Sequence, residues 1–163
     1  MKFEHLIQIN DILNPLIEAL SREQVWNGLV LRAAEPCLFV PHLDECVIEE
    51  RSADSMRRRL RYGKLVVRDT VILTKPRQLN YLVEAQGEIR ASTLTITIEE
   101  PNPDALFVRF AYDDGGDAAS DAADEMYNDF KRSAYVEADI DTVRIIRELA
   151  QQKRLDAAPD LLN

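Results

Sequence analysis

The sequence predicts an α+β domain: a seven-stranded, curved antiparallel sheet wrapped around a long C-terminal helix, with two short helices after strand 1. Three observations predict it. Six strand-like stretches follow one another between residues 43 and 112, and their short links suit antiparallel neighbours, because parallel ones need crossovers of about a dozen residues or more. The pattern then turns helical from Ala122 to about Leu155. A length of 163 residues suits one domain, in which roughly 70% of the unfolded chain's surface can be buried.

Residues 2–9 alternate as an opening strand, with Phe3, Ile7 and Ile9 on one side and His5 among them. Asn14-Pro15 reads as an N-cap followed by proline at the first helical position, which predicts a short helix through Leu20. Ser21 starts a second helix, its hydroxyl capping the free backbone donors while Gln24 reciprocates. Val25, Leu29 and Ala33 give this helix a face to bury. Pro36 and Pro41 then stop it and set an irregular crossing into the sheet.

The meander is expected at 43–51, 56–62, 65–74, 78–86, 89–100 and 105–112. Its breaks fall at Ser52–Ser55, Tyr62-Gly63-Lys64, Lys75-Pro76-Arg77, Gln86-Gly87-Glu88 and Pro101-Asn102-Pro103-Asp104. In the clearest strand Leu94, Ile96 and Ile98 alternate with Thr93, Thr95 and Thr97. Gly63 and Gly87 are the places where the sheet is expected to bend. On the terminal helix Met126, Phe130, Ala134, Ala138, Thr142, Ile145 and Leu149 recur every three or four residues and are expected to face the sheet. A helix near 30 residues would extend roughly 45 Å and needs a partner along most of that length.

A formal charge of −9 opposes general nucleic-acid binding, which needs a positive footprint. The charge is uneven: eight bases face one acid between residues 57 and 77, and seven acids with no base lie between Asp113 and Asp129. Such polarity can attract an anionic small ligand to one end or a copy of the same chain, and solvated faces that keep the protein soluble are the simpler reading of both clusters. No stretch approaches the roughly 18 consecutive apolar residues of a membrane span. Cys37 and Cys46 form no Cys-x-x-Cys pair and read as free thiols in a reducing compartment. A cytoplasmic protein without membrane insertion is expected.

The segments Trp26-Asn27-Gly28-Leu29-Val30-Leu31-Arg32-Ala33, Pro36, Phe39-Val40-Pro41, Leu43-Asp44-Glu45-Cys46, Gly63-Lys64-Leu65-Val66-Val67-Arg68-Asp69, Ser92-Thr93-Leu94 and Ser133-Ala134-Tyr135 sharpen this picture. Together with the element order, they resemble the START/polyketide-cyclase (SRPBCC, Bet v 1-like) superfamily. Within it they are similar to the acetylaranotin-biosynthesis-like branch and to pathogenesis-related class 10 allergen-like proteins, over about residues 2–155. The resemblance implies a helix-grip fold with a hydrophobic cavity between sheet and terminal helix. Superfamily members use that cavity for lipids, sterols, plant metabolites or polyketides, some transforming the ligand and others only carrying it.

Of the residues able to carry chemistry, His5 lies on the strand beside the expected cavity wall, with a near-neutral reference pKa suited to acid–base work. Asp69 and Arg68 sit in an otherwise apolar strand on opposite faces, so one of them is expected to point inward and find Glu84 or Arg109 as a partner. Tyr112 and Tyr81 supply phenols that orient a carbonyl or phenolic ligand, and Trp26 is either a cavity-lining aromatic or a core residue. The acids at Glu99-Glu100 and between Asp113 and Asp129 lack the spacing of a divalent-cation loop, so no metal and no cofactor are expected. No nucleophile elbow or phosphate-binding glycine pattern is present.

Three functions compete. One is binding of a hydrophobic or aromatic small molecule in a pocket lined by strand side chains, with Trp26, Tyr81, Arg109, Met126, Tyr127 and Phe130 as its residues. Another is cyclase, aldolase-like or hydrolase chemistry on a polyketide-like or aromatic metabolite, which requires His5, Asp69, Glu84 or Tyr112 inside the pocket. The third is a homodimeric interaction module with no ligand of its own.

Overall fold

A computed structural model describes residues 1–159. The strands are β1 (Lys2–Gln8), β2 (Glu45–Arg51), β3 (Ser55–Tyr62), β4 (Leu65–Thr74), β5 (Gln78–Val83), β6 (Ser92–Asn102) and β7 (Ala105–Asp113). The helices are α1 (Arg22–Ala34), a 3-10 turn (Pro36–Leu38), α2 (Ala118–Ala123) and α3 (Glu125–Gln151). All seven strands form one antiparallel sheet in the order β1-β7-β6-β5-β4-β3-β2. The long connection from β1 to β2 carries α1 and the 3-10 turn across the concave face, and α3 returns over that face after β7. The fold is the α+β helix grip expected from the sequence.

Alternation along the strands decides what enters the core. Met56, Arg58 and Leu60 on β3, Asp69, Val71 and Leu73 on β4, Leu79 and Tyr81 on β5, and Ile96 and Ile98 on β6 are all buried. They meet Val25, Leu29 and Val30 of α1 and Val143, Ile146 and Leu149 of α3. The threonines of β6 take the other face, where Thr97 and Thr95 bond Gln78 and Asn80 across the strand pair. Gly63 and Gly87, at φ of +62° and +58°, supply the left-handed residues of tight turns rather than bends within strands. The sheet is instead irregular where the register shifts, between Ile48 and Glu50 and between Glu99 and Asn102.

Ser21 and Gln24 form the capping box that starts α1. α1 crosses α3 closely at Gly28, where a β-carbon would stand 2.8 Å from Cγ1 of Ile146. The helix expected from Pro15 to Leu20 is instead a pair of turns. Asn14 accepts the Leu16 amide at 3.0 Å through its side chain, and Asn10 clamps both the amide and the carbonyl of Leu20, at 2.9 and 2.8 Å. Side-chain bonds of this kind hold a loop in competition with a helix.

The terminal helix departs from expectation in two ways. It is broken at Asp124, whose φ of −115° and ψ of 32° leave the helical region, and it ends at Gln151. Its face is also turned. Met126, Tyr127 and Phe130 are 87, 62 and 72% exposed, whereas Asn128, Asp139, Thr142, Val143, Ile146 and Leu149 are buried. Each step of four residues advances the stripe by about 40° around a helix of 3.6 residues per turn, so the four steps from Met126 to Thr142 rotate it by about 160°. Packing at Thr142 and Leu149 therefore turns Met126 and Phe130 away from the sheet.

Candidate functional site

The concave interior contains a chain of charged and phenolic side chains within an apolar core. At one end Arg58 and Asp69, both nearly inaccessible, form a bidentate pair, with Nε to Oδ1 at 2.8 Å and Nη2 to Oδ2 at 2.6 Å. The third guanidinium nitrogen donates to the carbonyl of Ala33 at 2.8 Å, which ties β3 to the end of α1. Burial opposes the charge on Arg58, but the Asp69 hydrogen bonds and charge outweigh it and its pKa is raised.

Tyr81 stands at the centre of the sheet. The guanidinium carbons of Arg58 and of Arg32, from α1, lie 5.2 and 5.3 Å from its ring centroid, in cation–π range. Arg32 is half-buried, and its Nε makes a long 3.4 Å contact to the Thr142 hydroxyl of α3.

The other end is organised by Asp139, which is fully buried on α3. Its carboxylate meets Nε2 of His5 at 2.7 Å and accepts the Tyr112 hydroxyl at 2.7 and 2.8 Å. Tyr112 stacks on Tyr135 at 3.9 Å with an interplanar angle of 5°, and His5 stacks between Phe3 and Phe110 at 5.5 and 5.6 Å. Burial raises the Asp139 pKa, opposed by the His5 and Tyr112 hydrogen bonds. Burial and then the Asp139 charge push the Tyr112 phenol upward, so it remains a proton donor.

An open pocket of about 710 Å³ lies on the concave side of β2, between Cys46 and Ile48 and the end of α1 at Leu31, with Cys37 and Leu38 on the 3-10 turn. Ile48 is directly opposite Arg58 in the β2–β3 register. The pocket therefore borders the Arg58–Asp69 end of the polar chain. Both cysteines are free, and burial raises the Cys46 thiol.

His5 and Tyr112 are brought together on Asp139, and Asp69 faces inward as one of the Arg68-Asp69 pair had to. Asp69 pairs with Arg58, however, not with Glu84 or Arg109. Glu84 is exposed just beyond β5. Arg109 lies on the convex face, bonded to Glu99 at 2.5 Å and to Glu4 at 3.3 Å, because alternation on β7 sends Val108 and Phe110 inward. Met126, Tyr127 and Phe130 point away from the interior. Trp26 is buried beside a separate opening of about 340 Å³ lined by Val30, Leu73 and Lys75.

Sequence reading missed three interior residues: Asp139, Arg32 and Arg58. The inward spacing Tyr135, Asp139, Thr142, Ile146 carried the signal for Asp139, and alternation with Met56 and Leu60 carried it for Arg58. Among the described residues, no three metal-ligating side chains converge, and no helix is long and apolar enough to cross a membrane.

No curated protein matches the chain in sequence. The solved structures similar to it include the di-domain aromatase/cyclase StfQ of the steffimycin biosynthetic pathway, at 12% identity over 94% of this chain and 51% of that one, with a TM-score of 0.68. Human STARD10 matches at 10% identity over 94% and 66% of the two chains, with a TM-score of 0.62. The ZhuI aromatase/cyclase from Streptomyces sp. R1128 matches at 16% identity over 98% and 99%, with a TM-score of 0.59. The chain spans about half the length of the di-domain proteins. These likenesses establish the fold, a helix grip. A family model matches residues 7–153, and the chain therefore belongs to the family described as acetylaranotin biosynthesis cluster protein L.

Proposed function

We propose that the protein binds a small, largely apolar or aromatic metabolite on the concave side of the sheet. The observation that carries this reading is the open pocket of about 710 Å³ against β2, whose lining residue Ile48 lies opposite the buried Arg58 in the strand register. Its lining sets the apolar side chains of Leu31, Pro36, Leu38 and Ile48 beside the charged Glu35 and Arg51, and a mainly apolar surface with a few polar groups suits a small-molecule site. Solved structures of the same fold include two named aromatase/cyclases, one of them from the steffimycin biosynthetic pathway, which supports a metabolite over a macromolecule as the occupant.

Native mass spectrometry of the full chain, equilibrated with a concentrated metabolite extract, tests the reading. A retained small molecule at one per chain is expected. A bare protein mass after equilibration overturns it.

A second reading, catalysis on the bound molecule, is favoured by the Asp139 cluster. A protonated Tyr112 phenol and the His5 imidazole share one buried carboxylate, an arrangement able to donate a proton from one group and take one up at the other. Under this reading Tyr112→Phe slows turnover of the captured molecule without abolishing its binding. Equal turnover in the variant overturns it.

A further inference from the structure

The edge strand β2 carries a bulge, and its consequence falls on Arg51. In a regular strand, Arg51 and Ile48 would point to opposite faces of the sheet, because side chains alternate. The register shift changes this: Ile48 stands opposite Arg58, Glu50 opposite Arg57 and Arg51 opposite Met56. Arg58 and Met56 are buried on the concave face, so Ile48 and Arg51 share that face. The consecutive acids Glu49 and Glu50 both stay on the convex face. There Glu49 pairs with Arg59 at 3.6 Å and Arg68 at 3.1 Å, and Glu50 with Arg57 at 3.9 Å. A bulge of this kind re-aims the side chains beyond it.

The re-aimed guanidinium lines the pocket of about 710 Å³ together with Leu31, Leu38 and Ile48. It is half-buried, so part of it faces open space. The arginines of β3 are each ion-paired: Arg57 to Glu50, Arg58 to Asp69, Arg59 to Glu45 and Glu49, and Arg61 to Asp44 and Glu45. Arg51 forms no ion pair among the described residues, and the acid that shares its pocket, Glu35 at the end of α1, does not reach it. The pocket thus joins an apolar wall to a cation that the described residues do not neutralise.

We propose that Arg51 anchors the carboxylate of an amphipathic monocarboxylic acid whose apolar body lies on Leu31, Leu38 and Ile48. This rests on the small-molecule reading above and names the chemical class of its ligand. A carboxylate matches the parallel N–H donors along one edge of a guanidinium, and seating the apolar body removes its surface from water. Glu35 in the same lining repels further negative charge, which favours a monoanion over a phosphate dianion.

Calorimetric titration of the full chain with two matched pairs, octanoate against octanamide and 2-naphthoate against 2-naphthamide, tests the assignment. In at least one pair the acid is expected to bind about 5- to 50-fold more tightly than its amide, a charge-assisted contact discounted for the half-exposure of Arg51. Arg51→Gln erases that preference and leaves the thermal midpoint nearly unchanged, since the side chain holds no ion-pair partner among the described residues. Arg57→Gln, which removes a charge from the convex face of the neighbouring strand, retains the preference. Octyl phosphate binds no more tightly than octanoate. A preference that survives Arg51→Gln overturns the anchor by placing the anion elsewhere. Equal loss in Arg57→Gln overturns it too, by making the preference a diffuse effect of the arginine-rich strand. Tighter binding of octyl phosphate overturns the monoanion assignment. Equal affinity for acid and amide, or failure of all four compounds to bind, overturns the acid class, while the small-molecule reading is decided separately by capture from the metabolite extract.

Discussion

Replacing Asp69 with alanine leaves the Arg58 guanidinium charged, 4% exposed and cut off from its only ion-pair partner among the described residues. Two of the three hydrogen bonds that satisfy it disappear, and the bond to Ala33 alone remains. Breaking a buried pair from one side costs about 3–5 kcal/mol, mainly through the stranded charge. For a chain of this size that corresponds to a fall in the thermal midpoint of roughly 6–20 °C, at about 2–4 °C per kcal/mol. The double substitution Arg58→Met, Asp69→Leu removes both charges and refills the space with apolar atoms, so most of the lost stability returns. Thermal and urea unfolding of wild type, D69A and R58M/D69L measure the cycle. A D69A loss below about 1 kcal/mol, the size of an exposed pair, would refute the burial argument. A double variant as unstable as D69A would show that the pair is needed for more than mutual neutralisation.

Gly28→Ala places a β-carbon 2.8 Å from Ile146 and is expected to cost about 1–3 kcal/mol in urea unfolding, relieved in part by adding Ile146→Val. Phe130→Ser should change stability by less than about 0.5 kcal/mol, because the ring is 72% exposed; a core-sized loss would return it to the sheet-facing side. Asp139 makes an opposite contribution to pH dependence from a salt-bridged acid. Its folded pKa is raised, so above that value ionisation weighs against the folded state, and the penalty is relieved as pH falls from the raised value toward the ordinary carboxylate range. In urea melts at a series of pH values, wild type should therefore gain stability relative to Asp139→Asn as pH falls through that window. A constant or reversed difference contradicts the assignment.

The sheet was legible because its information is local. Glycine and proline mark the turns, and alternation of apolar with polar residues sets the inward face, as at Leu94, Ile96 and Ile98. The capping box at Ser21 and Gln24 was readable for the same reason. What was not legible depends on angle or on tertiary contact. The Met126-to-Leu149 stripe satisfies a three-or-four spacing yet spirals around the helix, so spacing alone could not say which end faces the sheet. The Asn14-Pro15 signal is valid for a helix start, but Asn10 binds both ends of the Leu20 peptide from ten residues away and holds a loop. Of the site, Asp69 stood out as a charge on an apolar strand, His5 as an imidazole on the opening strand, and Tyr81 and Tyr112 as phenols. Arg58 was hidden inside a run of arginines, and Asp139 inside an acidic helix whose rotation was unknown.

Ligand is expected in the pocket between β2 and the end of α1, and not on the outer face of α3. Nitrogen–proton correlation spectra of the isotope-labelled full chain, recorded during titration with 2-naphthoate, test it most directly. Shifts are expected at Leu31, Cys37, Cys46 and Ile48, which line the pocket against β2. Shifts confined to Met126, Tyr127 and Phe130 would contradict it and assign recognition to the exposed face of the helix.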